Sequence, residues 1–193
     1  MGLSGVHTGR SGEADPIEPD SGKGAMKIFG VGLSKTGTVS LTKALVRLGH
    51  RAKHYPPIGM IVSEARRYDA LTDSPVLVFL EALDRLYPQA KFILTVREEA
   101  AWLESCQRHW AGRKPRTADW ELVRRAVYGI EGFDEAIFRR VRQEHTERVQ
   151  RYFEGRPDDL LIFNICGGEG YETLCPFLGL PILGEPFPHE NRG

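Results

Sequence analysis

Short segments with a preference for β-structure alternate along most of the chain with segments of helical periodicity. Apolar and β-branched runs predict five strands, at 27–31, 51–55, 70–72, 91–96 and 159–164. Between them, apolar residues recur every three or four positions, which predicts helices at 39–48, 75–86, 98–110, 118–128, 134–154 and 169–177. This alternation is typical of an α/β fold. We predict a single-domain parallel sheet of about five strands with helices on both faces.

The first 25 residues follow neither pattern. They contain six glycines and no aromatic residue, so they cannot bury enough apolar surface to offset the entropy lost on ordering. We therefore predict a disordered tail at 1–25 and one domain at 26–193. Within that domain, we predict Ser74 as the N-cap of the helix 75–86, because Pro75 suits the first helical position.

Composition narrows the possible partners and location. The 193 residues contain 26 Lys and Arg and 26 Asp and Glu, so nothing attracts the whole chain to nucleic acids, and we expect no nucleic-acid partner. The longest uninterrupted apolar run, 76–80, is far shorter than the ~20 residues that cross a bilayer, so we expect no membrane insertion. The three cysteines, an odd number without a Cys-x-x-Cys pair, indicate a reducing, cytoplasmic location and no metal site.

Residues capable of binding or catalysis follow each predicted strand. Ligands of open α/β sheets bind beyond the carboxyl ends of the strands, so we expect these residues to converge at one edge. They are a loop of Gly, Lys, Thr and Ser after the first strand, His54 and Tyr55 after the second, Asp73 after the third, Arg97 after the fourth, and Asn164 with Gly167 and Gly168 after the fifth.

The loop after the first strand has the composition of an anion site. Small residues that lead into a helix direct backbone N–H groups and the positive end of the helix dipole at one point, which suits a phosphate or a sulfate. The loop is not a Walker A motif, because Thr38 and Val39 stand where that motif needs Lys and Ser or Thr. Nor is it the dinucleotide fingerprint, because Lys35 replaces the third glycine.

The run Ser-Lys-Thr-Gly-Thr-Val-Ser-Leu at 34–41 resembles the 5′-phosphosulfate loop of sulfotransferases that use 3′-phosphoadenylyl sulfate (PAPS). The second element of that family is a strand that ends in Arg, with Ser eight residues later. Here the strand ending at Arg97 is followed by Ser105 at that spacing. The stretches 160–164, 171–179 and 185–188 also resemble the end of a short P-loop-like sulfotransferase branch found in bacteria and eukaryotes. The resemblance covers about residues 27–190.

The resemblance implies transfer of a sulfonate group from PAPS, as co-substrate, to a hydroxyl or amine of a small-molecule or glycan acceptor, without a metal. Lys35 would stabilise the charge on the leaving oxygen. The nucleotide would contact the loop residues Ser34, Lys35, Thr36, Gly37, Thr38, Val39 and Ser40, the pair Arg97 and Ser105 at its 3′-phosphate, and Gly167 with Gly168. The tryptophans at 102, 110 and 120 are expected in the core or in the wall of the acceptor pocket.

The identity of the general base stays open between two residues. Cytosolic members of the family carry a catalytic His before a proline-containing turn, and Asp73 stands at the corresponding place here. Asp73 and His54 are therefore both candidates for the catalytic base. Two other functions stay open as well, a nucleotide-dependent phosphotransferase and a non-catalytic nucleotide-binding protein. We expect the segments 59–68 and 111–133 to determine which acceptor is used.

Overall fold

The computed structural model describes residues 26–112 and 117–190. Its centre is a five-stranded parallel sheet in the order β2-β3-β1-β4-β5, which confirms the predicted fold class. The strands are β1 (Ile28–Gly30), β2 (Ala52–His54), β3 (Ala70–Thr72), β4 (Lys91–Thr95) and β5 (Leu160–Phe163). The tail predicted at 1–25 lies outside the described residues.

Helices flank the sheet between and after the strands. They are α1 (Thr38–Arg47), α2 (Ile61–Arg67), α3 (Ser74–Leu77), α4 (Leu80–Leu86), α5 (Glu99–Trp110), α6 (Ala118–Tyr128), α7 (Glu135–Tyr152) and α8 (Tyr171–Leu178), with 3₁₀ turns at Ile58–Met60, Pro157–Asp159 and Ile165–Gly167. No helix in the described part of the chain is long and apolar enough to span a bilayer.

The two faces of the sheet are buried under different helices. Along β4, Phe92 and Leu94 pack on one face and Ile93 on the other, because successive side chains of a strand point to opposite sides. The first face is covered by α2 to α7 and includes Trp102, and the second is covered by α1 and α8. Each large apolar side chain buried in this way contributes about 1.5–3 kcal/mol. Packing on both faces therefore holds the sheet in place, and with it the carboxyl ends of the strands.

The helix predicted at 75–86 differs from the structure in two respects. Asp73, not Ser74, is the N-cap, since its side chain accepts a hydrogen bond from the Ser74 N–H. The helix is also divided into α3 and α4, where the Phe79 N–H bonds to Val76 O, three residues back, and tightens the turn. A further helix, α2, was not predicted, because its seven residues carry too short a periodic pattern.

Candidate active site

A cavity of about 680 Å³ opens at the carboxyl ends of the strands. It brings together most of the site residues that the sequence predicted. Residues 34, 35 and 37–40 of the loop line it, together with His54, Asp73 and Arg97. Four strand ends and the first turn of α1 therefore meet at one place, as expected for a parallel α/β sheet.

Four predicted residues do not line this cavity. Thr36 is buried, and its hydroxyl donates to Leu33 O (2.6 Å) and lies 2.6 Å from Thr95 Oγ1, so its side chain fastens the loop to β4. Ser105 is buried on α5. Gly167 and Gly168 form the turn next to Cys166, which does line the cavity. Contact of these four residues with a nucleotide stays a prediction.

The first turn of α1 is open to an anion. Gly37 is the N-cap and adopts a φ of 99°, which glycine accepts without strain. No side chain caps the helix, and its first turn has no acidic residue. By contrast, the side chains of Glu98, Thr117 and Asp134 cap α5, α6 and α7. The N–H groups of α1 and the positive end of its dipole thus face the cavity without a protein partner at the cap.

Two cations flank this turn. Lys35 and Arg97 both line the cavity, and within residues 26–112 and 117–190 neither forms an ion pair with a carboxylate. Arg97 Nη1 donates to Lys35 O (3.4 Å), and Trp102 Nε1 donates to Ser34 O (3.0 Å), so side chains from the β4–α5 region hold the loop. Two uncompensated charges beside an open helix N-terminus favour a ligand with more than one anionic group.

Asp73 lies on the other side of the loop and is fully hydrogen-bonded. Its Oδ1 accepts from the Ser34 hydroxyl (2.5 Å) and from the Ser74 N–H (2.5 Å). Its Oδ2 accepts from the Thr38 hydroxyl (2.6 Å) and lies 2.7 Å from His54 Nε2. Burial opposes ionisation of this carboxyl, but the bonds from His54, Ser34 and Thr38 outweigh it and lower its pKa. Asp73 is therefore a poor proton acceptor and a firm anchor for the His54 ring.

Three aromatic rings form the wall beside His54. We use the term aromatic wall for Tyr55, His109 and Trp120, all of which line the cavity. The ring of Trp120 lies 6.0 Å from that of Tyr55 and 6.1 Å from that of His109, measured between centroids. Trp120 thus belongs to a pocket wall, whereas Trp102 and Trp110 are buried in the core. No residue of 59–68 lines the cavity.

The sequence model of the sulfotransferase domain family matches residues 60–193, which is more than half of the chain. The chain belongs to this sulfotransferase family. The matched range includes Asp73, Arg97 and Ser105, whereas the loop at 34–40 and His54 precede it. The loop residues 34, 35 and 37–40 and His54 line the same cavity as Asp73 and Arg97 of the matched range.

The chain is also similar to a curated protein. This sulfotransferase-family chain is 27% identical to "Ava biosynthesis cluster protein M" of Aspergillus versicolor, over 85% of this chain and 80% of that protein. Within the described residues, no group of three or more His, Cys, Asp or Glu side chains is arranged to hold a metal ion.

Several cavity residues of this sulfotransferase domain were not identified from the sequence. His109 lies at the end of α5, and His189 and Glu190 lie in the C-terminal segment that returns to α1. The Glu190 N–H donates to the Ser40 hydroxyl (2.9 Å), and its carboxylate pairs with Lys43 (2.8 Å). These contacts span 150 residues of sequence, so no local pattern could have revealed them.

Proposed function

We propose that this protein transfers a sulfonate group from PAPS to an acceptor hydroxyl and releases 3′,5′-ADP. The observation that carries this proposal is the meeting of two uncompensated cations and the open N-terminus of α1 with the His54–Asp73 pair, all in one cavity. The two cations and the helix N-terminus suit a donor with several anionic groups. The His54–Asp73 pair suits the removal of a proton from the acceptor.

The residues present fit the donor. Backbone N–H groups at the start of α1 would hold its 5′-phosphate, and the planar guanidinium of Arg97 would bind its 3′-phosphate. The loop also approaches β4 too closely for any side chain at Gly32, where a Cβ would lie 1.9 Å from Thr95 Oγ1. The position of the loop beside Arg97 is therefore fixed by packing.

Lys35 and His54 act on opposite ends of the reaction. PAPS supplies an activated sulfonate, whose S–O bond to the bridging phosphate oxygen breaks while a new S–O bond to the acceptor oxygen forms. The electron pair of the broken bond stays on the bridging oxygen, where the Lys35 ammonium stabilises the growing charge. The acceptor proton passes to a ring nitrogen of His54.

His54 suits the role of base better than Asp73 does. Both oxygens of Asp73 already accept hydrogen bonds, and their donors hold the pKa of that carboxyl low. The contact between His54 Nε2 and Asp73 orients the ring and stabilises the imidazolium that forms on proton transfer. We therefore infer that Asp73 positions the ring of His54 and that His54, of the two candidates, is the base.

A thermal-shift panel with 3′,5′-ADP, ATP and NAD tests the proposed function. A ligand present at one hundred times its Kd stabilises the folded state by about 2.7 kcal/mol, which raises the Tm of a chain of this size by about 5–10 °C. We expect that shift with 3′,5′-ADP alone. A preference for ATP would contradict the proposal and favour a phosphotransferase. Binding of 3′,5′-ADP without sulfonate transfer to any acceptor would favour a non-catalytic binding protein.

A further inference from the structure

The described residues that line the half of the cavity beside His54 offer no free carboxylate to an acceptor. Asp73 is the acidic residue there, and each of its oxygens already accepts two hydrogen bonds or close polar contacts. Glu190, at the far side of the loop, pairs with Lys43. Amine cations are usually held through a free carboxylate, and the described residues that line this half of the cavity do not offer one.

Aromatic surface is what the same half of the cavity does offer. The aromatic wall (Tyr55, His109 and Trp120) stands next to His54, whose ring centroid lies 6.2 Å from that of Tyr55. The pKa of Tyr55 is raised by burial and by the charges of Asp73 and Asp119, so its hydroxyl stays neutral. A neutral, flat ligand can therefore pack against this wall, where the Arg124 guanidinium already lies 5.8 Å from the centroid of the Trp120 ring.

A hydrogen bond outside the cavity fixes the wall. Asp119 Oδ1, at the start of α6, accepts from the Ile58 N–H (3.0 Å) just after the end of β2. Trp120 follows Asp119 directly, and Tyr55 lies three residues before Ile58. This bond therefore joins the two segments that carry the Tyr55 and Trp120 rings.

The order of the strands separates the wall from the donor. Tyr55 follows β2, which lies at one edge of the sheet, whereas Arg97 follows β4 on the opposite side of β1. A nucleotide held by the loop and Arg97 would therefore lie on the side of β1 that carries β4. The aromatic wall then remains available on the side of β2.

From these observations, and resting on the proposed function, we propose that the acceptor is an uncharged aromatic alcohol. Its ring packs against the aromatic wall and its hydroxyl reaches His54. An amine cation would find no free carboxylate among the described residues that line the cavity.

Calorimetric titration with 2-naphthol and with N-acetylglucosamine, each with and without saturating 3′,5′-ADP, tests this assignment. The variants are Tyr55→Leu and Trp120→Leu, and the matched control is Leu122→Ala, an exposed residue on the same helix as Trp120. We expect 2-naphthol to bind the unmodified protein and N-acetylglucosamine not to bind. Each wall variant should bind 2-naphthol about tenfold more weakly, while Leu122→Ala should bind it as the unmodified protein does.

The outcomes separate this assignment from the proposed function. The aromatic assignment is wrong if 2-naphthol fails to bind, or if both wall variants bind it as tightly as the unmodified protein does. It is also wrong if N-acetylglucosamine binds in place of 2-naphthol. A comparable loss of 3′,5′-ADP affinity in Trp120→Leu would mean that the wall holds adenine, which also overturns it. If 3′,5′-ADP does not bind while 2-naphthol behaves as expected, the assignment of the wall stands and the proposed donor is wrong.

Discussion

The two halves of the cavity are built in different ways. The donor half, named after its proposed ligand, is lined by residues 34, 35 and 37–40 of the loop and by Arg97, so most of it comes from one short segment. The acceptor half, named in the same way, consists of His54, Asp73 and the aromatic wall, and it is assembled from the ends of two strands and two helices. A phosphate can be held by backbone and charge, which one segment supplies, whereas an acceptor is selected by side chains brought together from distant positions.

Backbone strain is concentrated where the two halves meet. In the described part of the chain, the non-glycine residues with a positive φ are Lys35 (73°), Tyr55 (49°) and Asp73 (86°), and all three line the cavity. Such conformations cost of order 1–3 kcal/mol each and persist where surrounding contacts enforce them. Here the enforcing contacts include the four donors around Asp73 and the Arg97 bond to Lys35 O.

The largest expected effect distinguishes the two members of the His54–Asp73 pair. His54→Asn removes the proton acceptor, so kcat should fall by about 10²–10⁴-fold with little change in 3′,5′-ADP affinity. Asp73→Asn leaves the base in place without its charged anchor, so it should retain more activity than His54→Asn. Initial rates with a radiolabelled donor measure both. His50→Asn, outside the cavity, is the control, and an unchanged rate in His54→Asn would exclude this residue as the base.

Lys35 lies at the boundary of the two halves, and its removal should affect the chemical step more than binding. Lys35→Met keeps the length of the side chain and removes the charge, so kcat should fall by about 10²–10³-fold. Calorimetry should show 3′,5′-ADP binding close to that of the unmodified protein, and Lys91→Met, at the opposite end of the sheet, should retain full activity. A loss confined to donor affinity would make Lys35 a binding residue only.

The contrast between the halves also explains what the sequence could predict. The strand positions and the loop were recognisable because a short apolar run and a run of Gly, Lys and Thr are local patterns. Arg97 was recognisable because it directly follows a strand. Two other hydrogen bonds depend on tertiary packing. The Ile58 N–H donates to Asp119, 61 positions away, and the Glu190 N–H donates to Ser40, 150 positions away.

The role of Asp73 shows a different limit. The sequence shows that Asp73 stands before Ser74 and Pro75, but it does not reveal how many donors surround a carboxylate. The four donors around Asp73 lower the pKa of its carboxyl, which is why we propose it as an anchor for His54 and not as the base.

Arg97→Ala should affect only the donor half. Loss of a charge-assisted contact to the 3′-phosphate should weaken 3′,5′-ADP binding by about 10- to 100-fold, while binding of 2-naphthol should not change. Arg97→Lys should recover part of the loss, because it restores the charge but not the planar fork. Arg140→Ala, an exposed position on α7, is the matched control. Equal weakening of both ligands would show that Arg97 supports the whole cavity.

The smallest expected effect is on the free energy of unfolding, through a hydrogen bond beneath the cavity. His145 on α7 donates from Nε2 to Val31 O (2.7 Å), at the end of β1 just before the loop. Burial lowers the pKa of this His from its ordinary value of 6.5 to about 4. The neutral ring is thus favoured in the folded state. Its contribution to stability is complete above pH 6.5 and is lost as the pH falls toward 4.

At pH 5 this linkage should cost about 2 kcal/mol relative to pH 7.5. Urea denaturation of the unmodified protein and of His145→Gln, which keeps a donor for Val31 O without a titrating ring, measures the difference. We expect the unmodified protein to lose more stability than the variant between the two pH values. Equal losses would mean that His145 does not titrate in this range. Because Val31 precedes the loop of the donor half, 3′,5′-ADP binding should weaken as the pH falls.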